Sequence, residues 1–250
     1  MPSSETVNRL RKTQQVIAKW AQRDLARVWD RLDHTDVEAT RKALAEFFPA
    51  LINKYGDLSA TAAAEWYEDV IFQRALMSGA REVEVINKRM RWAVRPDSAG
   101  ASNQALANLQ LVTDELVKQF GRDVITLSAR KHKIRWARVP TGAETCAFCL
   151  MLAGRGYVYR SAKKGGDSFS GNEFHGHCDC VVVPDDGVIP DNYDPDFFFD
   201  RYNSARNTKP EELLNRDEMS EEEYNRRLKL MSGFSDRAIT ARIRAKFDLK

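Results

Sequence analysis

Residues 146–149 read CAFC, and after 25 intervening residues the stretch 175–180 reads HGHCDC. Together they hold all four cysteines of the chain and two of its four histidines. Two cysteines separated by two residues fold as a knuckle whose thiolates converge on one ion, and a His or Cys pair elsewhere completes a tetrahedron. The spacing therefore predicts a structural zinc site with Cys146, Cys149, His175, Cys178 and Cys180 as candidate ligands.

Other uses of the same residues stay open at this point. The cysteines can pair as disulfides in a particle that meets oxidising conditions after assembly, or pack as small hydrophobic groups. A hydrolase would use Cys146 or Cys149 as nucleophile and His175 as base. An HNH-like nuclease would need a further metal-binding His or Asn. Zinc deaminases have the histidine before the cysteine pair, whereas here the two-cysteine knuckle comes first. Among the candidate zinc ligands, His177 is the least favoured. We therefore expect that the site has no catalytic residues and that the protein is not an enzyme.

Composition limits the classes of protein to which the chain can belong. It has 250 residues, of which 43% are hydrophobic and 30% charged, and a formal charge of only +3. No run approaches the roughly 18 apolar residues of a membrane span, so an integral membrane protein is excluded. The charge is too small for general coating of DNA. Because no apolar stretch follows the first basic residues, we expect no secretory signal and synthesis in a reducing compartment.

Residues 5 to about 133 have the periodicity of helices. The first helix is expected to end near Asp33, because apolar residues recur at three- and four-residue steps or their multiples. These residues are Val7, Leu10, Ile17, Leu25, Val28 and Leu32.

Three further helices are predicted in this region. The second starts after Asp36, is kinked by Pro49 and stops near Gly56. Ser59 caps the third helix. The fourth carries the apolar residues around 106–120 and is broken or bent at Gly121.

The sequence as a whole predicts an α+β fold class. A mainly helical N-terminal domain is followed by a small zinc-stapled α+β module and a helical C-terminal tail. The boundaries are 1–133 for the helical domain, 134–184 for the module, 185–209 for an acidic linker and 210–250 for the tail. A module of about 50 residues is small for a core of its own, so a metal staple is physically useful. Strands are expected at 134–139, 157–160 and 179–183.

Two weaker contact sites follow from charge and aromatic content. The basic run from Arg130 to Arg138 is typical of a segment that contacts phosphate, although a solvated helix end explains it equally well. Its candidate nucleic-acid contacts are Arg130, Lys131, Lys133 and Arg135. The stretch 185–200 has six aspartates and no Lys or Arg, which indicates an extended linker. Three adjacent phenylalanines cannot all face one core from a helix, so a partner contact is predicted at Phe197, Phe198 and Phe199.

The module resembles a known family. WARVPTGAETCAFCLMLAGRGYVYRS at 136–161 and FHGHCDCVVVP at 174–184 are similar to the C-terminal signature of the Mu F-like minor head proteins of tailed phages, in the version found in phages of actinobacteria. In that motif a two-cysteine knuckle precedes a variable loop, a histidine and Cys-x-Cys. Gly176, His177 and Asp179 depart from the family's usual intervening residues.

The resemblance implies a non-enzymatic virion component that acts as an adaptor inside the capsid near the portal. Such a protein is made in the host cytoplasm and aids head assembly, DNA packaging or DNA delivery. Its implied partners are the portal protein, the major capsid protein and packaged DNA, with no membrane. The alternative is a zinc-containing protein that binds or processes DNA.

Overall fold

The computed structural model describes residues 2–95, 102–142, 145–159, 178 and 180–249. Within these residues the chain is mostly helical and contains one two-stranded sheet, which confirms the α+β class. The helices are α1 (Ser4–Trp29), α2 (Val37–Ile71), α3 (Val83–Ala93), α4 (Ser102–Lys131), α5 (Ala147–Ala153), α6 (Pro195–Asn207), α7 (Glu221–Met231) and α8 (Asp236–Phe247). The strands are β1 (Trp136–Val139) and β2 (Val181–Pro184), and short 3-10 turns lie at Pro210–Leu213 and Arg216–Glu218.

Helix α1 confirms the predicted first helix. The Ser3 side chain accepts a hydrogen bond from the backbone N–H of Thr6, which satisfies one of the unpaired donors at the helix start. Its apolar stripe, with Val7, Leu10 and Leu25, is buried against α2 and α4. The stripe therefore fixes which side of α1 faces the core.

Helix α2 shows that the prediction of separate second and third helices is wrong. A single helix runs from its N-cap, Asp36, through Pro49 and Gly56 to Ile71. Helix α4 is likewise continuous through Gly121. The glycines do not end these helices, because tertiary packing outweighs the cost of about 1 kcal/mol that glycine carries in a helix.

The reason for both glycines is close helix crossing. A Cβ atom at Gly56 would lie 2.6 Å from the ring of Phe120, which is buried on α4. A Cβ atom at Gly121 would lie 2.1 Å from Nε2 of Gln14 and 3.0 Å from the carbonyl oxygen of Ser59. Glycine often signals the end of a helix, but at these two positions it is needed because α1, α2 and α4 leave no room for a side chain.

The sheet lies between helices. β1 and β2 are antiparallel, with Trp136 opposite Pro184 and Val139 opposite Val181, and Tyr159 adds a single bridge to Trp136. All residues of both strands are buried, because α4 packs against β2 and α5 packs against β1. This burial corrects the reading of Arg138, which is fully buried and cannot belong to a phosphate-contacting surface.

The acidic segment differs from the expected extended linker. Pro195–Asn207 form α6, which begins with Asp194 as N-cap and Pro195 in the first turn, where proline is favoured. α6 packs on α5 so closely that a Cβ atom at Gly154 would lie 2.8 Å from the backbone nitrogen of Phe199. The helix at 195–207 thus has a local start signal in Asp194 and Pro195, and it is held against α5 by a close contact that the sequence pattern did not reveal.

The tail folds back on the molecule. α7 is capped at its start, because the Ser220 hydroxyl accepts a hydrogen bond from the backbone N–H of Glu223 at 3.2 Å. α8 packs on α5 and α6, and one hydrophobic core includes residues from Val7 to Ile243. The boundaries at 133/134, 184/185 and 209/210 stay predictions. None of the helices in the described ranges has the length and apolar character needed to cross a bilayer.

We expect Gly56→Ala to destabilise the protein by about 1–3 kcal/mol, because the added methyl group would overlap the buried ring of Phe120. Urea denaturation measures this change. Gly79→Ala is the matched control, because a Cβ atom there meets nothing within 4 Å, and its effect should stay within about 0.5 kcal/mol. A stabilising effect of Gly56→Ala would mean that the helices can separate freely at this crossing.

Candidate metal centre

Three thiols converge at the junction of α5 and β2. Cys149 lies in α5, while Cys178 and Cys180 come just before β2 in the chain. Their sulfur atoms all lie within 4.8 Å of one another, and the Sγ atoms of Cys149 and Cys178 are 3.3 Å apart. All three side chains are buried. The structure therefore brings together three of the ligands predicted from the sequence, as a cluster able to bind a metal.

Cys146 completes the knuckle from the other end. It is the N-cap of α5, and its sulfur accepts a hydrogen bond from the backbone N–H of Cys149 at 3.2 Å. This bond makes the CAFC turn continuous with the helix and fixes the direction in which Cys149 points. All four cysteines are free thiols in the structure. His175 and His177 lie outside the described residues.

Two buried arginines surround the cluster. The Nη2 atom of Arg122, in α4, donates to the carbonyl oxygens of Cys178 at 2.7 Å and Cys180 at 3.3 Å. Arg138, in β1, is fully buried, and its positive charge acts on Cys178 and Cys180. Because a guanidinium stays protonated in proteins, these two side chains place positive charge beside the sulfur atoms.

The local electrostatics shift the pKa values of the thiols in different directions. Hydrogen bonding to Cys146, followed by bonding to Cys178 and Cys180 and by burial, raises the pKa of the Cys149 thiol. Hydrogen bonds to Cys149 and Cys180 lower the pKa of Cys178, and the charges of Arg122 and Arg138 act in the same direction. Negative charge in the cluster is thus favoured at Cys178, where a cation would bind.

The geometry fits a small tetrahedral ion. Zinc–sulfur bonds of about 2.3 Å place the sulfur atoms of a tetrahedron about 3.8 Å apart. The Cys149 and Cys178 sulfur atoms, 3.3 Å apart, are within about 0.5 Å of that value, and no two of the three sulfur atoms are more than 4.8 Å apart. By contrast, Cys149 is buried and has a raised pKa, which makes it a poor nucleophile at neutral pH. The arrangement suits a closed site that holds parts of the fold together.

The predicted nucleic-acid residues lie at the surface, away from the buried sulfur atoms. They sit at the end of α4 and in the turn that leads into β1, where Lys133 has a left-handed backbone with φ of 59°. Arg135 is engaged with Asp185 at 3.3 Å. All of the candidates are exposed, namely Arg130, Lys131, Lys133 and Arg135.

The three phenylalanines have different environments on α6. Phe198 is partly buried against the core, with its ring 6.1 Å from that of Tyr193. Phe197 and Phe199 are each 48% exposed. The observed helix thus satisfies one of the three rings internally and leaves two at the surface, so a partner contact at Phe197 and Phe199 stays a prediction.

Arg122 is the site residue that sequence reasoning missed. It follows Gly121 in a helical stretch, where an arginine is typical of a solvent-facing position. Its one signal is its register, because the buried Ile125 lies three residues farther on, on the same face of a helix that is buried along most of its second half. Its role depends on the tertiary contact between α4 and the segment that carries Cys178 and Cys180.

A family model described as VG15 protein matches residues 1–205, which include the N-terminal helices, the cysteine cluster and most of α6. The chain belongs to the VG15 protein family. The VG15 match extends well beyond the residues that carry the Mu F-like resemblance, and it ends before α7.

Two curated relatives are proteins of mycobacteriophages. The Gene 15 protein of Mycobacterium phage D29 is 34% identical over a region that covers 34% of this chain and 42% of the relative. The Gene 15 protein of Mycobacterium phage L5 is 28% identical over 57% of this chain and 64% of the relative. The matched region thus spans less than two thirds of either relative. No solved structure matches the chain significantly. These similarities support a bacteriophage origin.

We expect Arg122→Met to lower the free energy of unfolding by about 2–3 kcal/mol, because the carbonyl oxygens of Cys178 and Cys180 would lose a charged donor inside the protein. Chemical denaturation monitored by circular dichroism measures the change. Arg135→Met is the matched control, because its pair with Asp185 is half-exposed and contributes less than about 1 kcal/mol. Equal losses in the two variants would contradict the role assigned to Arg122.

Proposed function

We propose that the protein is a minor head protein of a tailed phage. In this role it is a virion component inside the capsid near the portal and acts as an adaptor in head assembly, DNA packaging or DNA delivery. The proposal is carried by the buried cysteine cluster, which lies within the residues that resemble the Mu F-like signature, in a chain of a phage protein family. The portal protein, the major capsid protein and packaged DNA are its proposed partners.

A structural rather than an enzymatic role is supported by the chemistry of the cluster. A catalytic zinc site needs an open coordination position, and a cysteine nucleophile needs an accessible thiolate. The sulfur atoms of Cys149, Cys178 and Cys180 are buried between α4, α5 and the sheet, which leaves no accessible thiolate among these three. We therefore propose that the protein is not an enzyme.

The proposed cofactor is a structural zinc ion held by Cys149, Cys178 and Cys180, with Cys146 or His175 as fourth ligand. When bound, the ion would supply a crosslink between α5 and the segment before β2. Zinc with three or four thiolates carries a net charge of about −1 or −2. Arg122 and Arg138 lie where they offset that charge, which lowers the cost of burying it.

The zinc proposal predicts one zinc ion per chain by elemental analysis of the purified protein. A chelator should lower Tm by more than about 5 °C, because the module would lose its crosslink. Cys149→Ser should remove the metal and destabilise the fold. Separate Cys146→Ser and His175→Asn variants should identify the fourth ligand, because only the change at a ligand weakens zinc affinity.

His34→Asn is the control for the histidine variant, because its ring stacks on Trp29 in another part of the molecule, and zinc content should not change. A protein without zinc, with an intact mass reduced by the hydrogens lost in forming disulfides, would instead establish the oxidised alternative.

The virion role predicts that quantitative mass spectrometry of purified particles detects the chain at a copy number similar to that of the portal subunit and far below that of the major capsid protein. The comparison within one particle makes the portal subunit an internal standard. Absence from mature particles would overturn the virion assignment.

The alternative function, a zinc-containing protein that binds or processes DNA, is favoured by the exposed run at the end of α4. Arg130, Lys131, Lys133 and Arg135 would be its phosphate contacts. DNA binding whose affinity falls steeply with salt, and which is lost when Lys131 and Lys133 become Glu, would support this function. Stable binding to a portal ring with little affinity for DNA would support the adaptor.

A further inference from the structure

Two surfaces of opposite character have no role in the proposed function. The first is the groove between α1 and α2, here the α1/α2 groove. The second is formed by exposed side chains of residues 185–200, here the acidic surface. Both expose large apolar side chains, which marks surfaces that meet a partner when such side chains are clustered.

The α1/α2 groove has an apolar middle. The two helices are antiparallel, since Nε1 of Trp66 donates to the carbonyl oxygen of Thr6 and the Tyr55 hydroxyl to Asp24. Between them runs a groove of about 450 Å³ lined entirely by α1 and α2, with a second of about 410 Å³ farther along the same helix pair. Its exposed apolar side chains are Val16 at 44%, Trp20 at 46% and Leu58 at 44%.

The rim of this groove on α1 is strongly basic. Five cations are exposed along the helix and a sixth, Arg31, just after its end, and those with a neighbouring acid make only long or exposed pairs, such as Arg9 with Asp69 at 3.8 Å. Exposed pairs of this kind contribute little and leave the charge available to a partner. The cations are Arg9, Lys12, Lys19, Arg23, Arg27 and Arg31.

The acidic surface has the complementary composition. Of the six aspartates in residues 185–200, four are exposed, namely Asp191, Asp194, Asp196 and Asp200, and the nearest cation along the chain is Arg201, which lies over the Phe197 ring at 4.7 Å. On α6, Asp196 and Asp200 are one turn apart and exposed, and Phe197 and Phe199 flank them on either side. Val188 and Ile189, in the preceding loop, are 45% and 51% exposed. The surface thus offers both negative charge and apolar side chains.

Charge and apolar content together favour the acidic surface over nucleic acid as the occupant of the α1/α2 groove. The phosphates of nucleic acid would meet the basic rim, but a phosphate backbone would give Val16 and Leu58 in the middle of the groove no apolar partner. The acidic surface supplies carboxylates for the rim and phenylalanine rings for the middle of the groove.

We propose that the acidic surface of one copy of the chain binds in the α1/α2 groove of a second copy. Within one chain the acidic surface lies beside the start of α1, where the backbone N–H of Asn192 donates to the Ser4 hydroxyl at 3.1 Å, and it does not line the groove. The contact joins two different surfaces, so it forms a two-fold dimer, a ring or an open filament, according to the rotation between copies. It holds whether or not the protein is a virion component.

Mixing of two charge-reversed variants tests this contact. The groove variant is Lys12→Glu with Arg27→Glu, and the surface variant is Asp196→Lys with Asp200→Lys. By sedimentation velocity of the full chain, the wild type should associate, while each variant alone should have a Kd raised at least about tenfold. An equimolar mixture of the two variants should form a complex again, because the unchanged groove of the surface variant meets the unchanged acidic surface of the groove variant, and the two reversed surfaces also attract each other.

The matched controls separate this contact from general charge effects. Glu211→Lys with Glu212→Lys changes two exposed acids outside the acidic surface and should leave association intact. Trp20→Ser should weaken association, whereas Trp92→Ser, at a tryptophan that is 47% exposed on α3, should not. Circular dichroism confirms that each variant is folded.

A wild type that stays monomeric, or a mixture of folded variants that does not associate, would overturn the proposal. A monomeric wild type whose salt-dependent DNA binding is lost in the groove variant would overturn it in favour of a nucleic-acid groove. In either case the copy number in particles still tests the proposed virion role separately.

Discussion

The contact of Arg122 with the carbonyl oxygens of Cys178 and Cys180 joins the two halves of the structure. One end of this contact belongs to α4, the central helix of the N-terminal part, and the other to the segment that brings two thiols to Cys149. A single buried guanidinium thereby satisfies two backbone acceptors and places positive charge beside the sulfur atoms.

The position of α4 in turn depends on how closely helices can approach one another. Gly56 and Gly121 allow α1, α2 and α4 to cross without the space that side chains would need. This close packing sets where Arg122 leaves the helix surface and meets the segment before β2. The same principle applies at Gly154, where α5 meets the backbone of Phe199. Small residues at three crossings thus position the elements around the thiols.

Charge is distributed unevenly over the surface, although the formal total is only +3. Basic residues are concentrated on α1 and at the end of α4, while six aspartates lie within residues 185–200. An overall composition close to neutral therefore conceals local surfaces that attract opposite charge. This separation places surfaces of opposite charge on one chain, as the proposed contact between copies requires.

Sequence alone determined a large part of the fold and some of the candidate site. The apolar stripe of α1 and the cap at Ser220 follow from local rules of spacing and hydrogen bonding. The knuckle of Cys146 and Cys149 and the pair Cys178 and Cys180 indicated a shared site, because thiol spacing limits which groups can meet on one ion. Residue periodicity was likewise enough to predict a mainly helical chain.

Only the tertiary structure decided which signals were overridden and which charges were buried. Gly56 and Gly121 look like helix ends in a sequence, yet each lies inside a helix because a neighbouring helix occupies the space of a side chain. Arg122 and Arg138 look like surface residues, yet both are buried beside thiols that come from distant parts of the chain. These outcomes depend on contacts between residues far apart in sequence, and local periodicity carries no information about such contacts.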